Sequence, residues 1–473
     1  MRITYIIIPL LLIGGCSGIN VSSAPFKEWA PPEYYKTNTL EDGSTSFIRS
    51  KKPDFAEPLT LALLLDIALK NNPTTRQAWQ DSRAKQAILR QEQSQLFPKV
   101  TVGADGTREK SVDTAQSGNI NDLKYGPSGK AELLLFDFGG RDAEIETAYQ
   151  DMISSGFQFN QSLQDLILDV KKNYYGLYSA TSTLEAAESD VVDAKASFEA
   201  AAIRFQVGLV SKLDQLQAEA SYDDSLYNLE EAKYNLNTAR SDLSTTLGYS
   251  ADTKIEIVNP GNDVPTDIDK QDVTEMIDEA LLIKPDIQAA RADLKSKEAA
   301  VQDAKSSLWP HVNLGGTMGQ NWYKYYNEKK PRNDDYAYTG YLSLQWDVFD
   351  GFYNMNKKYE AQAEESAQRA KLIELELEAS ADVWAKFYNY IASVSKLKYS
   401  EAFLKSSKAS YDLAFEGYGA GLKNILDLLQ AQSTLSEARA KFLTSRKDLF
   451  VSVAELAHAT GTLKVSVIQE PEE

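Results

Sequence analysis

Residues 418–431 read Tyr-Gly-Ala-Gly-Leu-Lys-Asn-Ile-Leu-Asp-Leu-Leu-Gln-Ala, and residues 205–218 read Phe-Gln-Val-Gly-Leu-Val-Ser-Lys-Leu-Asp-Gln-Leu-Gln-Ala. Gly208, Leu209, Asp214, Leu216, Gln217 and Ala218 thus recur as Gly421, Leu422, Asp427, Leu429, Gln430 and Ala431, 213 positions further on. Outward from these stretches the correspondence continues. Phe136-Asp137 recurs as Phe349-Asp350, Gly248 as Gly461, and Leu96-Phe97-Pro98 as Leu308-Trp309-Pro310. The interval from Pro73 to Pro98 equals that from Pro285 to Pro310. A repeat this long is too large for a solenoid unit and reads as a duplicated half-molecule.

Each quoted stretch interrupts a long span without proline. None occurs between Pro127 and Pro260, nor between Pro331 and Pro471. Both spans are dominated by Ala, Leu, Glu, Lys, Ser and Asp, with apolar residues three and four apart. Leu163, Leu166, Val170, Tyr174 and Leu177 show this spacing in the first half, and Leu372, Leu375, Ala379 and Val383 in the second. Such patterning predicts long helices of coiled-coil type. Broken once at Val207-Gly208-Leu209 and once at Gly419-Ala420-Gly421, each span becomes a hairpin of two helices. The first helix, from about residue 141 to 206, would be near 100 Å long at about 1.5 Å per residue. Ser211 with Asp214, and Asn424 with Asp427, have the N-cap and N3 spacing of a capping box. The helix dipole also favours a carboxylate there.

Before each hairpin the pattern changes. Leu59, Leu63, Ile67 and Leu69 form the apolar face of a short helix stopped at Asn72-Pro73, and a second helix ends at Leu96-Phe97-Pro98. The design repeats after Val273, with a break at Lys284-Pro285 and a stop at Pro310. Val100-Thr101-Val102 and residues 130–136 then flank what reads as a polar loop with Gly103, Gly106, Ser117 and Gly118. In the second copy Tyr338, Leu342, Leu344 and Trp346 alternate with Thr339, Tyr341, Ser343 and Gln345, while Val312 and Leu314 alternate with Asn313. Period-two alternation predicts strands with one apolar face. Trp322, Tyr338, Trp346 and Phe349 crowd this region with Tyr323, Tyr325, Tyr326, Tyr336 and Phe352. Aromatics bracketing alternating strands resemble the interface girdles of outer-membrane barrels; a soluble hairpin capping a coiled coil is the alternative. Four strands cannot close a barrel, and an open sheet edge is not tolerated in lipid. A barrel therefore requires several copies of the chain.

Bulk properties remove other classes. A net charge of −18 argues against nucleic acid, whose phosphates need clustered Lys and Arg. Mean hydropathy is −0.39, and no apolar run beyond the N-terminus approaches the roughly 20 residues of a membrane-spanning helix. His311 and His458 are the only histidines and Cys16 the only cysteine. No phosphate loop, nucleophile elbow or His-Glu-x-x-His motif occurs, so neither an enzyme nor a cofactor or metal site is expected. At the N-terminus Arg2 precedes the apolar run Ile6 to Ile13, a signal-peptide pattern. Ile13-Gly14-Gly15-Cys16 is similar to a bacterial lipobox, in which Cys16 is acylated; the alternative is an ordinary signal peptide with a chance cysteine.

Taken together, the ordered motifs resemble the TolC family of trimeric outer-membrane efflux proteins, over nearly everything from Leu59 to Leu463. The motifs are the duplication, the Leu-Phe-Pro and Leu-Trp-Pro helix ends, Phe-Asp at both strand-to-helix junctions, and Tyr418 to Leu422 followed by Asp427 to Ala431. The lipobox and the Pro-rich segment after it look like the lipoprotein branch of that family. The resemblance implies a mainly α protein with a transmembrane β-barrel, closed from three chains as 12 strands above a long α-helical periplasmic tunnel. It implies a passive exit duct in the outer membrane, contacting outer-membrane lipid and working with an inner-membrane pump and a periplasmic adaptor. It further implies a gate at the periplasmic tips. Asp427 matches an acidic constriction position, Asp214 a latch carboxylate, Lys423 a basic latch partner and Tyr418 a tyrosine of the same network. Gln430 stands where some members carry a second acid. The tips Gly208-Leu209 and Gly421-Leu422 match adaptor-docking turns, although glycine there also serves simply to reach φ > 0. Asp214 and Asp427 likewise remain open to a plain capping role. A non-channel coiled-coil lipoprotein, a scaffold or adhesin, is the competing function.

The expected layout is a signal peptide over 1–15 and a lipidated arm over 16–56, with Trp29, Tyr34 and Tyr35 as anchors. A first repeat covers 57–250, with a strand pair near 98–136 and a hairpin over 138–248. A linker spans 251–271. A second repeat covers 272–463, with strands near 310–349 and a hairpin over 351–461, before a tail over 464–473.

Overall fold

A computed structural model describes residues 38–39, 45–46, 57–113, 118–261, 272–325 and 335–463. The signal peptide, the Cys16 lipid site, Trp29, Tyr34, Tyr35, Tyr326 and the tail lie outside the described residues. Two short strands, β1 (Asn38–Thr39) and β2 (Thr45–Ser46), pair with each other. Then come α1 (Leu61–Asn71), α2 (Pro73–Gln93) and a 3-10 turn over Ser94–Leu96. Strands β3 (Lys99–Asp113) and β4 (Gly118–Phe136) lead to α3 (Gly140–Gln206) and α4 (Lys212–Thr246). The second half repeats the series as α5 (Val273–Ile283), α6 (Pro285–Ser306), β5 (His311–Tyr325), β6 (Asp335–Gln345), α7 (Tyr353–Gly419) and α8 (Ile425–Ala459). The long helices α3 and α7 both have 67 residues, and α4 and α8 both have 35, so the duplication extends to element length.

Local chemistry explains the boundaries. Pro73 and Pro285 open α2 and α6, where the missing N–H costs nothing. Thr60 and Asp272 cap α1 and α5 through their side-chain oxygens. Helix α3 ends in a Schellman motif: Leu209 N–H donates to the Arg204 carbonyl at 2.8 Å and Gly208 N–H to Phe205 at 2.9 Å. Helix α7 ends identically, Leu422 donating to Gly417 at 2.8 Å and Gly421 to Tyr418 at 3.0 Å. Gly208 and Gly421 stand at φ +75° and +79°; a Cβ at Gly208 would meet open space and one at Gly421 only an ordinary contact with Arg204 Nη2 at 3.6 Å, so backbone geometry rather than crowding selects glycine at both tips.

The described chain divides into two compact units, one of residues 80–156 and 289–373 and one of the remainder. The first contains an antiparallel sheet in the order β3-β4-β5-β6. The strands run further than the sequence suggests: Gly103 and Gly106 lie inside β3, paired with Ser128 and Tyr125, rather than in a loop. Pro127 sits in the central strand β4, and pairing to β5 skips Gly126 and Pro127 while pairing to β3 continues. A proline has no N–H for the ladder, which accounts for the gap. Strand β6 ends at Gln345, so Trp346 and Phe349 lie beyond it instead of completing the alternation. Trp346 Nε1 donates to the Leu308 carbonyl at 3.2 Å, fixing the ring where the chain leaves the sheet. Below the sheet ends, Leu89 of α2 packs with Ala148 and Met152 of α3.

In the second unit, α5 is held by Ala280 against Val383 of α7 and Ala459 of α8. Phe387, Tyr390, Leu449 and Leu456 form a further cluster between α7 and α8. Polar ties join α8 to α3 and α7: Arg439 bonds both Asp190 and Asp193 of α3, and Glu455 receives Lys172 of α3 at 2.8 Å and Lys386 of α7 at 2.9 Å.

Candidate functional site

Two places carry function-bearing geometry: the faces of the sheet and the ends of the hairpins.

The register sorts the sheet into two chemically distinct faces. Val100, Val102, Leu133, Val312, Leu314, Met318, Tyr338, Leu342 and Leu344 share one face through the pairs Val100↔Ala131, Leu133↔Leu314, Val312↔Leu344, Leu314↔Leu342 and Met318↔Tyr338. Most of these side chains are exposed, Tyr338 to 87%. Trp322, paired with Tyr125 across the ladder and 5.6 Å from its ring, belongs to the same face. The other face is polar: Lys99, Thr101, Asp105, Lys130, Glu132, Asn313, Thr317, Tyr341 and Ser343. There Glu132 takes an ion pair from Lys130 at 2.6 Å and a hydrogen bond from the Tyr341 hydroxyl at 2.7 Å. The Tyr341 ring lies over Gly315, where a Cβ would approach it to 2.2 Å. An exposed apolar band backed by a polar face is the pattern of a strand set with lipid on one side and water on the other. Strands β3 and β6 form its two edges.

At the strand-to-helix junctions the paired Phe-Asp motifs have a definite role. Asp137 accepts from Arg141 N–H at 2.5 Å and Asp350 from Asn354 N–H at 2.9 Å, so each carboxylate caps a long helix. Phe138 and Phe352 adopt φ of +55° and +68°, uncommon for aromatic residues. The turn sets Phe138 against Trp309, with ring centroids 5.4 Å apart, and Phe352 against Phe349 at 5.6 Å.

The hairpin ends of the second unit meet in one apolar cluster. Ala201 of α3, Ala218 of α4, Tyr411 and Tyr418 of α7, and Ile425, Leu428 and Leu435 of α8 are buried together. The duplicated tips are not equivalent here. Phe205 is 36% exposed, whereas Tyr418, its counterpart 213 positions on, is 1% exposed. The Arg204 guanidinium lies 4.6 Å from the centre of the Tyr418 ring, and its Nη1 donates to the Tyr418 carbonyl. Burial pushes the Tyr418 hydroxyl's pKa up; the Arg204 charge opposes this and Asp214 adds to it. The Tyr418 hydroxyl and Arg204 Nε are buried without a hydrogen-bond partner among the described residues.

The residues singled out from sequence fall around this cluster. Asp214 is half-buried and completes a capping box, accepting from Ser211 N–H at 2.9 Å while Ser211 Oγ accepts from Asp214 N–H at 3.2 Å. In the second tip, Asn424 Oδ1 accepts from Asp427 N–H at 2.8 Å, and among the described residues the reciprocal bond occurs only in the first copy. Asp427 and Gln430 are exposed. Lys423 is exposed as well, with its aliphatic stem beside Gly417. Leu209 and Leu422 are 68% and 82% exposed at the turns. The basic group that Tyr418 meets within the chain is thus Arg204, which sequence reasoning missed. A signal existed: Arg204 stands in register with Gly417, a charge in one copy against a glycine in the other.

A family model described as "Outer membrane efflux protein" matches residues 64–249 and again 276–462. Protein CyaE of Bordetella pertussis is 27% identical over 416 residues, covering 88% of this chain and 86% of its own length. Outer membrane protein TolC of Escherichia coli is 24% identical over 407 residues, covering 83% and 80%. The crystal structure of the Campylobacter jejuni CmeC outer membrane channel aligns with a TM-score of 0.75 at 19% identity, covering 93% of this chain and 95% of that one.

Proposed function

From the premise that this chain belongs to the outer membrane efflux protein family, a family of transport ducts in the outer membrane, we propose that three copies assemble into one conduit. Each contributes the four strands β3 to β6, giving twelve. The observation that carries this reading is the two-faced sheet with both edges unpaired in the single chain. In lipid such edges have to be joined, and joining β6 of one copy to β3 of the next closes the barrel with its polar face inward. The apolar band with Tyr338, Leu342 and Leu344 then faces hydrocarbon, with Trp322, Trp346 and Phe349 at the interfaces. A scaffold or adhesin has no use for such a band.

The helical hairpins form a passive tunnel on the periplasmic side, and its gate lies at the tips. Asp427 and Asp214 supply carboxylates there, Tyr418 and Lys423 belong to the latch, and Gln430 in place of a second acid leaves a single carboxylate layer. The unpartnered Tyr418 hydroxyl supports this reading. A buried hydroxyl left unpaired costs about 1–3 kcal/mol, so a group from a neighbouring copy is a natural partner. The exposed Leu209 and Leu422 turns dock a periplasmic adaptor, which links the duct to an inner-membrane pump. Acylation of Cys16 anchors the N-terminus to the same membrane. Relatives include proteins named for solvent efflux, such as SrpC of Pseudomonas putida; export of toxic small molecules is the corresponding role here.

The test combines native mass measurement in detergent, single-channel recording in planar bilayers, and restoration of drug resistance in a host lacking its own duct. A trimer that conducts ions and restores resistance is the expected result. A monomer that inserts no channel would overturn the reading.

A further inference from the structure

Strands β5 and β6 pair over a stretch that side chains do little to specify. Gly315, Gly316 and Gly319 lie in β5 and Gly340 in β6, with Gly316 directly opposite Gly340. No glycine stands opposite another among the β3–β4 pairs. Glycine-rich strands hold their register weakly. The alternation of apolar and polar residues helps only in part, because a slip of two residues keeps every side chain on its own face. A specific contact has to separate the native register from such slips. The row Glu132↔Gly315↔Tyr341, which crosses the polar face, supplies one.

We infer that Gly315, Tyr341 and Glu132 form a lock that sets the register of the edge strand β6. The Tyr341 side chain leans across β5, and its hydroxyl donates to Glu132 Oε1 of β4 at 2.7 Å, so one residue ties three strands together. Its path lies over Gly315. A Cβ there would stand 2.6 Å from Tyr341 Cε2 and nearer still to Cζ and the hydroxyl oxygen, so any other residue would displace the ring. Gly315 does not adopt a positive φ. Room for the ring, not backbone conformation, selects glycine there. Lys130, two residues from Glu132 on the same face, holds the carboxylate by an ion pair at 2.6 Å.

Other registers fail on space or on chemistry. Slipped by two residues either way, Tyr341 would face Asn313 or Thr317, whose side chains would stand in the path of the ring. Slipped by four, it would reach Gly319, the other glycine of β5 on that face, but β4 then presents Ser128 in place of Glu132. Only the native register offers both the gap and the acceptor. In the first hairpin Gly103 stands opposite Ser128, and no ring crosses the strands there. Setting β6 matters beyond the single chain, because the register fixes which residues this edge offers to a neighbouring copy. That last step rests on the three-copy reading above.

The test uses the full-length protein in its membrane, with cysteine pairs that report register. Thr317 lies opposite Thr339, and Ala337 opposite Gly319. Thr317→Cys with Thr339→Cys should therefore form a disulfide in the native register. Thr317→Cys with Ala337→Cys should do so efficiently only after a slip of two residues. Tyr341→Ala should bring up the second product and lower the heat-resistant trimer fraction several-fold. Tyr341→Phe, which keeps the ring and loses the bond, should fall between. Gly315→Ala should do similar harm alone, and no further harm once Tyr341→Ser has removed the ring. Native cross-linking with an unchanged trimer fraction in Tyr341→Ala, or a Gly315→Ala defect that ignores residue 341, overturns the lock and leaves the three-copy reading intact. A monomer by native mass for the unmodified protein overturns that reading instead, and the cross-links still decide the lock.

Discussion

Arg204 of the first hairpin holds Tyr418 of the second, its guanidinium 4.6 Å from the ring centre and its Nη1 donating to the Tyr418 carbonyl. The contact joins the two tips of one chain, at a point where the repeats have diverged from Arg204 to Gly417. Arg204→Ala is expected to free the second tip and raise single-channel conductance and antibiotic entry. Arg204→Lys should be intermediate, because it keeps the charge but loses the planar stack. Unchanged currents from properly assembled Arg204→Ala channels would remove this contact from the gate.

The two tip carboxylates should separate by their bonding. Asp427 is exposed, and its helix keeps the Asn424 cap when the carboxylate is removed. Asp427→Ala should therefore raise conductance with little change in melting temperature. Asp214 takes part in both arms of a capping box. Ser211→Ala, which removes the cap itself, should cost about 1 kcal/mol in denaturant unfolding, and Asp214→Ala part of that. Equal destabilisation by Asp214→Ala and Asp427→Ala would contradict this assignment.

Exposed leucines at the turns predict a surface defect without a folding defect. Leu209→Glu combined with Leu422→Glu should abolish efflux, read as a fall in the minimum inhibitory concentration. Trimer yield and bilayer conductance should stay as they are, since both side chains are more than two-thirds exposed. Retained resistance would place adaptor docking elsewhere.

Adjacent residues of β6 offer a test of the sheet's two faces. Leu342→Arg places a charge on the apolar face, at a cost of about 2–4 kcal/mol near the bilayer midplane. Ser343→Arg places the same charge on the polar face, and should shift ion selectivity toward anions with little loss of stability. Heat-dependent gel mobility and reversal potentials read the two effects separately.

Glu455 gives a pH prediction. Burial pushes its carboxyl up, but bonds from Lys172 and Lys386 outweigh this and hold it below its usual value of 4.5. A depressed carboxylate contributes stability above its unfolded pKa and loses it as pH falls through the folded one. Glu455→Gln should thus cost about 1–2 kcal/mol near neutral pH. The difference from the unmodified protein should shrink as pH drops below about 4.5. A gap that stays constant into acid would mean the charge is not what matters.

Much of the architecture was legible because it depends on local rules. Prolines at 73 and 285, glycines at 208 and 421, and the three-four spacing of Leu163 to Leu177 mark helix starts, turns and long helices without reference to anything distant. The strand extents were less legible. Gly103 and Gly106 look like loop residues, yet they are carried in β3 by pairing with β4, a non-local interaction no composition rule sees. Trp346 fits the alternation of β6 but leaves it to bond Leu308, 38 residues earlier in the chain.

The repeat by itself determined the count of strand pairs and helical hairpins, the equal helix pairs and the two glycine tips, since each follows from spacing along the chain. Only the tertiary structure decided which tip is buried, that Arg204 rather than Lys423 meets Tyr418 within the chain, and which residues share a face of the sheet. Those choices arise where the two halves pack against each other. Burial there is set by a neighbour some 214 residues away in sequence, and packing breaks a symmetry that the repeat leaves intact.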